Sequence, residues 1–470
     1  MRYRCLLLPL FFLSEVLAAD PANSRTDCQK FVSDGDYHEA AGLCPGECQS
    51  GSAAACYNSG ALNEAGLGGP QDYAKARSFY EKGCTLEDSG SCSNLGVLYE
   101  AGNGGSQDFS RALFFYKKAC DLNSGRGCSN LAVLYLRGQG TEQDYVRARE
   151  HLEKACTLKE GAGCSNLGVL YSNGHGVPQD DRKAAEYLKA ACELGDGSGC
   201  AGLGFLFENA RGMEQDYREA RTYYRQACSL GDGSGCASLA RFFENGIGGG
   251  KLSRDSRQAV MYYEKGCGYG SGVGCLGLAE MYYEGRGTDK DTWKAAVYFE
   301  KACLLNEGSG CFNLGFMHYS SGSSAQDFQK AAAWYERACD LGDYRGCVNL
   351  GAMYYDGKGV PQDPEKALGY YDRSCAAGVA LGCNNAGGYY ALREDFGKAV
   401  PRFEQSCSSL NDGGACFILA GFYAEGKLVP PEGRTPGDYY RRACELGVSE
   451  SCQENPAEAD AKTGENRPEK

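Results

Sequence analysis

The chain has 470 residues, of which 67 are glycine and 27 cysteine, and it carries a formal charge of −13 at pH 7. The charge is distributed with no cluster of Lys and Arg, which excludes a nucleic-acid partner and favours solubility. A chain of this length would hold about three domains at ~150 residues each unless one unit is repeated, and the glycines recur at fixed offsets rather than in disordered tracts.

The chain opens with the basic Met1-Arg-Tyr-Arg4, a mostly apolar run from Cys5 to Leu13 and the small residues Ala18 and Ala19. This reads as a secretory signal peptide over residues 1–19, since the apolar run is far below the ~20 residues that span a bilayer. No later segment is apolar enough for a membrane span. The expected location is secreted or periplasmic. Cleavage removes Cys5 and leaves 26 cysteines, an even number that predicts full pairing in an oxidising compartment.

Residues 20–55 read as an N-terminal capping half-repeat with short helices from Asp27 and Tyr37. A frame of two cysteines separated by seven residues then governs the chain. It is set by Cys48 and Cys56, Cys84 and Cys92, Cys120 and Cys128, Cys156 and Cys164, Cys192 and Cys200, and Cys228 and Cys236. It continues with Cys267 and Cys275, Cys303 and Cys311, Cys339 and Cys347, Cys375 and Cys383, and Cys444 and Cys452. The frame of Cys407 and Cys416 has one residue more. Cys28 and Cys44 alone stand outside the frame and are expected to pair with each other. From Cys56 to Cys452 the second cysteines define eleven intervals, nine of 36 residues, one of 39 and one of 33. Such self-similarity means an array of stacked units.

Each unit carries two helical patterns. In helix A, counted from the second cysteine, offset three is usually Leu, offset four Gly or Ala, and offset seven aromatic, as in Leu95, Gly96 and Tyr99. These offsets share one helix face. A Gly/Pro-containing loop ends on an Asp placed to cap helix B. Helix B has Ala eight residues before the next first cysteine and an apolar, mostly aromatic residue four before it. Pro436 replaces that Ala in the last unit, so its helix B should start late. Two antiparallel helices cannot bury both faces alone, so residues 56–452 are expected to form an all-α solenoid of about eleven two-helix repeats. Residues 453–470 form a charged tail with the composition of a disordered segment.

The runs Cys164-Ser-Asn-Leu-Gly-Val-Leu-Tyr171, Ala191-Cys-Glu-Leu-Gly-Asp-Gly-Ser-Gly-Cys200 and Gly357-Lys-Gly-Val-Pro-Gln-Asp-Pro-Glu-Lys-Ala367 resemble the Sel-1-like repeat. With the cysteines and the signal, the chain is similar to the secreted, disulfide-rich branch that includes the Helicobacter cysteine-rich proteins. The resemblance implies a superhelix with helix A on its concave side, and a bridge within each cysteine frame. Pairing across the 28 residues between frames is the alternative connectivity.

The residues do not assemble a recognisable catalytic motif. Zinc sites use ligands two to four residues apart, and the four histidines, His38, His151, His175 and His318, are scattered. The resemblance implies a penicillin-binding or β-lactamase activity as the competing function, yet no Ser-x-x-Lys occurs and Lys462-Thr-Gly464 lies in the tail. No catalytic residue, metal or cofactor is expected. The leading expectation is a monomeric scaffold for a protein or extended peptide. Offset two of helix A, opposite the buried stripe, is Asn58, Asn94, Asn130, Asn166, Asn313, Asn349 and Asn385, whose amides offer both donors and acceptors. The run breaks at Gly202, Ser238 and Gly277, which predicts two binding stretches. Tyr283, Tyr319 and Tyr355 are expected to form an exposed aromatic strip.

Overall fold

A computed structural model of the chain describes residues 27–248, 254–321, 324–428, 431 and 434–453; the signal segment and residues 454–470 lie outside them. Among the described residues there are 24 α-helices and no strand. Two cap helices, Asp27–Asp34 and Tyr37–Gln49, precede eleven A/B pairs. The chain forms two compact units, one to Gly270 with the cap and six pairs, the other from Ser271 with five. Each is a solenoid of helix pairs.

Local chemistry sets the helix ends. Most A helices begin behind Ser or Asp four residues before the second cysteine; Glu160, Glu307 and Val379 stand there in the others. Asp88 accepts from the Ser91 amide and Asp196 from the Gly199 amide, satisfying donors that a helix start leaves orphaned. Many of them end at a glycine in the left-handed region, such as Gly102 with φ +77°, where a Cβ would be strained. Most B helices begin behind the expected Asp, among them Asp72, Asp108, Asp144 and Asp180, while Ala325–Asp340 begins behind Ser324. The last B helix, Pro436–Glu445, starts late as Pro436 requires, behind a capping box of Thr435 and Asp438. Between Cys407 and Cys416 the extra residue is absorbed by a π-turn at Gln405–Ser409, and the two cysteines still pair.

The core is built on close approach. Every Ala eight before a first cysteine, from Ala76 to Ala399, is fully buried. The glycine at offset four lies against the large residue four before that cysteine: a Cβ on Gly60, Gly96 or Gly351 would stand 2.5 Å from the Tyr80 ring, 2.6 Å from Tyr116 and 2.6 Å from Tyr371. Phenol rings thus fill the layer between A and B helices.

A second close approach lies at the junction between repeats. The residue before the second cysteine is usually Gly and the residue before the first usually Ala. A Cβ on Gly127 would come within 2.5 Å of the Ala119 Cβ, and one on Gly199 within 2.4 Å of Ala191. In the first array junction the sizes are exchanged: Gly83 stands before Cys84 and Ser91 before Cys92, and a Cβ on Gly83 would meet the Ser91 side chain. Helices this close bring the cysteine Cα atoms to 4.5–4.9 Å, within the range of a disulfide.

The bridges are local. In the first unit Cys28 pairs with Cys44, Cys48 with Cys56, Cys84 with Cys92, Cys120 with Cys128, Cys156 with Cys164, Cys192 with Cys200 and Cys228 with Cys236. In the second, Cys303 pairs with Cys311, Cys339 with Cys347, Cys375 with Cys383, Cys407 with Cys416 and Cys444 with Cys452. Cys267 and Cys275 are disulfide-bonded as well. The alternative connectivity across 28 residues is absent from these pairs. Closing such short loops stabilises by about 2–3 kcal/mol each on the chain-entropy model.

Gly96→Ala is expected to lower stability by about 1–3 kcal/mol, because an added methyl must displace the Tyr116 ring. A thermal melt that leaves Tm unchanged would contradict this packing.

Candidate binding face of the A helices

Helix A is enclosed on most of its circumference. Within each unit it packs on its own B helix, on the B helix of the repeat before and on neighbouring A helices. Offsets −2, 2, 5 and 9 are its least buried positions. At 100° per residue these four offsets fall within one narrow sector. Asn130, Asn166, Asn313, Asn349 and Asn385 are half-buried there, whereas Asn58 and Asn94 are buried. Asn58 donates to Cys28 Sγ of the cap at 3.7 Å, and Arg126 donates to Asn94 Oδ1 at 3.2 Å.

The amides differ in what occupies them. Four B-helix tyrosines donate from the phenol to a glutamate at offset eight: Tyr80 to Glu64 at 2.7 Å, Tyr116 to Glu100 at 2.7 Å, Tyr224 to Glu208 at 2.7 Å and Tyr263 to Glu244 at 2.6 Å. Burial, then the glutamate charge, raises the Tyr80 and Tyr116 phenols well above their ordinary value; the amides of Asn94 and Asn130 act in the opposite sense on the same phenol oxygens. Asn349 does so on Tyr335, which burial pushes up to about 12. Leu152 and Phe299 occupy the phenol position before Asn166 and Asn313 and bring no hydroxyl. Asn166, Asn313 and Asn385 have no side-chain hydrogen bond among the described residues. The seven asparagines therefore divide into those engaged within the array and those with amides to spare.

The tyrosine–glutamate pairing escaped the sequence reading, although its signal was there. In the first six repeats offset eight is Glu wherever the B-helix position is Tyr. It is Leu136 or Ser172 where that position is Leu152 or Leu188. From residue 271 on, Tyr283, Tyr319 and Tyr355 stand at offset eight instead. They do not form an exposed strip: all three are half-buried. Tyr283 meets Phe299 edge-on, and Tyr319 meets Phe328 likewise, with centroids 6.4 and 5.4 Å apart. The space vacated by a shorter glutamate is filled by the ring.

Other titratable groups are dispersed. His151 stacks on Tyr135 with centroids 5.7 Å apart, and burial lowers its pKa. His175 lies against Tyr145. No three His, Cys, Asp or Glu side chains gather as a metal site among the described residues, and no described helix is long and apolar enough to cross a membrane. A shallow cavity of about 300 Å³ opens at the A-helix starts, lined by Glu307, Ser309, Leu341, Asp343, Arg345 and Val379 among others.

One capping carboxylate at the junctions, Asp196, gives a pH dependence. Burial, with a contribution from the Asp232 charge, raises the Asp196 pKa above its ordinary 3.8. The folded chain therefore holds that proton more tightly than the unfolded one. This stabilisation is complete below the unfolded pKa and is lost as pH rises through the folded pKa. Asn retains the acceptor that caps Gly199 and does not ionise. Asp196→Asn is thus expected to raise Tm by a few degrees at pH 7 and to leave it unchanged at pH 3.5; equal shifts at both would remove the carboxylate from the account.

Comparison with known proteins follows this geometry. The Sel1 repeat matches residues 53–88, 89–124, 125–159, 161–196, 197–232, 233–267, 272–307, 308–343, 345–379 and 414–448. The unmatched helix pair in residues 380–413 is the short repeat with the π-turn. No curated protein matches the chain. Among solved structures, c5321, a protective antigen present in uropathogenic Escherichia coli strains and displaying an SLR fold, is 24% identical over 94% of this chain and 96% of its own, with a TM-score of 0.48. A Sel1 repeat protein from Oxalobacter formigenes is 23% identical over 51% of this chain and 94% of its own, with a TM-score of 0.47. Helicobacter pylori cysteine rich protein B is 34% identical over 29% of this chain and 98% of its own, with a TM-score of 0.24.

Proposed function

The chain belongs to the Sel1 repeat family, and we propose that it is an exported scaffold that holds a protein or extended peptide along the concave side of its A helices. The observation that carries this reading is the set of three half-buried asparagines with unoccupied amides, Asn166, Asn313 and Asn385. A half-buried amide without a partner loses part of its hydration and regains it when a peptide group pairs with both its donor and its acceptor. Asn130 and Asn349 lie on the same face but already serve the phenol layer, so they are framework first. Gly202, Ser238 and Gly277 supply no amide, which leaves two stretches, one before Gly202 and one after Gly277. Export rests on the signal segment of residues 1–19 and on the bridges, which persist in oxidising compartments.

Photocrosslinking tests the placement. Benzoylphenylalanine in place of Val169, at offset five on the same face as Asn166, is expected to capture a partner in cells that make the protein. The same group in place of Glu186, on a B helix, is expected to capture none. Adducts from position 186 alone would place the partner on the other side of the array and overturn the reading. Asn130→Ala should lower Tm, whereas Asn166→Ala should weaken the captured complex with Tm unchanged.

A further inference from the structure

Exposed large apolar side chains are distributed differently in the two units. Before residue 270 they lie off the A-helix face: Leu158, Leu194 and Leu230 follow the first cysteines, and Phe114 and Val146 are on B helices. After residue 271 five lie on that face itself, Leu392 at offset nine being 74% exposed. Val273 and Leu381 at offset −2 are 55% and 56% exposed, Phe316 at offset five 46% and Ile418 at offset two 37%. The first unit has small or polar residues at many of these places, Ser198 and Ser234 among them.

The charges nearby are already answered. Arg345 pairs with Asp343 at 2.5 Å, Lys427 with Glu425 at 2.7 Å and Lys358 with Asp356 at 3.9 Å, while Glu284 pairs with Arg286. Each of these cations meets an anion two residues away, and Glu280, a further carboxylate at offset five, acts on Arg345, so the face holds no large charge for an ionised partner. It combines apolar surface with the free amides of Asn313 and Asn385. A helical partner would give those amides nothing, because its backbone groups are satisfied internally. An extended segment leaves every peptide group available and turns alternate side chains to one side. A second copy of this chain offers only helices and short connections among its described residues.

We propose that the A-helix face of residues 271–425 binds an extended, uncharged segment of a partner protein. Its apolar side chains meet Val273, Phe316, Leu381 and Ile418 while Asn313 and Asn385 bond its backbone. This deepens the peptide-holding reading above and rests on it.

The test uses the full oxidised protein and three end-blocked decapeptides in which serine alternates with valine, glutamate or lysine, followed by fluorescence anisotropy. The valine peptide is expected to bind at least tenfold more tightly than either charged one. Phe316→Ser combined with Leu381→Ser should weaken it at least tenfold with Tm unchanged, as both side chains are exposed. Asn313→Ala with Asn385→Ala should weaken it as well, and Asn166→Ala should not. A charged peptide binding equally well, or the serine pair leaving affinity unchanged, would overturn the inference. Binding that is lost only on Asn166→Ala would move the peptide to the first unit and overturn this inference while keeping the scaffold reading. If none of the three binds, the inference falls, and the scaffold reading is decided separately by the adduct at position 169.

Discussion

Everything in this molecule depends on how near two helices come at each repeat junction. From Cys84 on, the residues immediately before the paired cysteines are small on both sides. At Gly127 and Ala119 a single added carbon would fall within 2.5 Å of its neighbour. That contact is what puts two cysteine Cα atoms within bridging distance, and it sets the register in which the next A helix meets the previous B helix. The exchange at Gly83 and Ser91 shows the constraint to be on the pair of volumes rather than on either residue. The disulfide records the approach and then fixes it.

From that register follows a second layer, the phenols between A and B helices. A tyrosine hydroxyl drawn into a protein interior needs a partner, and here it finds a glutamate from one A helix and, in several repeats, an asparagine amide from the next. Repeats that place Leu or Phe at the phenol position relieve the asparagine of that duty. A packing choice inside the array thus frees the amides of Asn166 and Asn313, whereas that of Asn385 is free although Tyr371 stands before it. The same residue type at the same offset serves as framework in one repeat and as a vacant donor–acceptor pair in another.

Much of the fold was legible because it repeats. The cysteine intervals gave the number of helix pairs, the small residue at offset four gave the close face, and Pro436 gave the late start of the last helix. The cap pairing of Cys28 with Cys44 followed from their being outside the frame. The site was legible only as a position. Angle placed offset two on the least buried face of helix A, yet angle carries no information on neighbours in other repeats. Burial of Asn58 by the cap and of Asn94 beneath Arg126 arises between segments about 30 residues apart. Tyr283, Tyr319 and Tyr355 were misread for the same reason: counted along one helix they point outwards, but Phe299 and Phe328 on the adjoining B helices close over the first two. The glutamate–tyrosine pairing could have been found by comparing the repeats with one another instead of averaging them.

The bridges close between cysteines eight residues apart in nearly every frame. A segment of one period therefore carries as many sulfurs as it needs and borrows none from distant parts of the chain. Duplicating or deleting such a segment leaves no thiol without a mate and no existing bond to be rerouted. During synthesis, both halves of each bond emerge almost together, before later cysteines exist to compete. Array length is thereby freed from the oxidation chemistry that stabilises it, and a lineage can lengthen or shorten its recognition surface without redesigning its covalent scaffold.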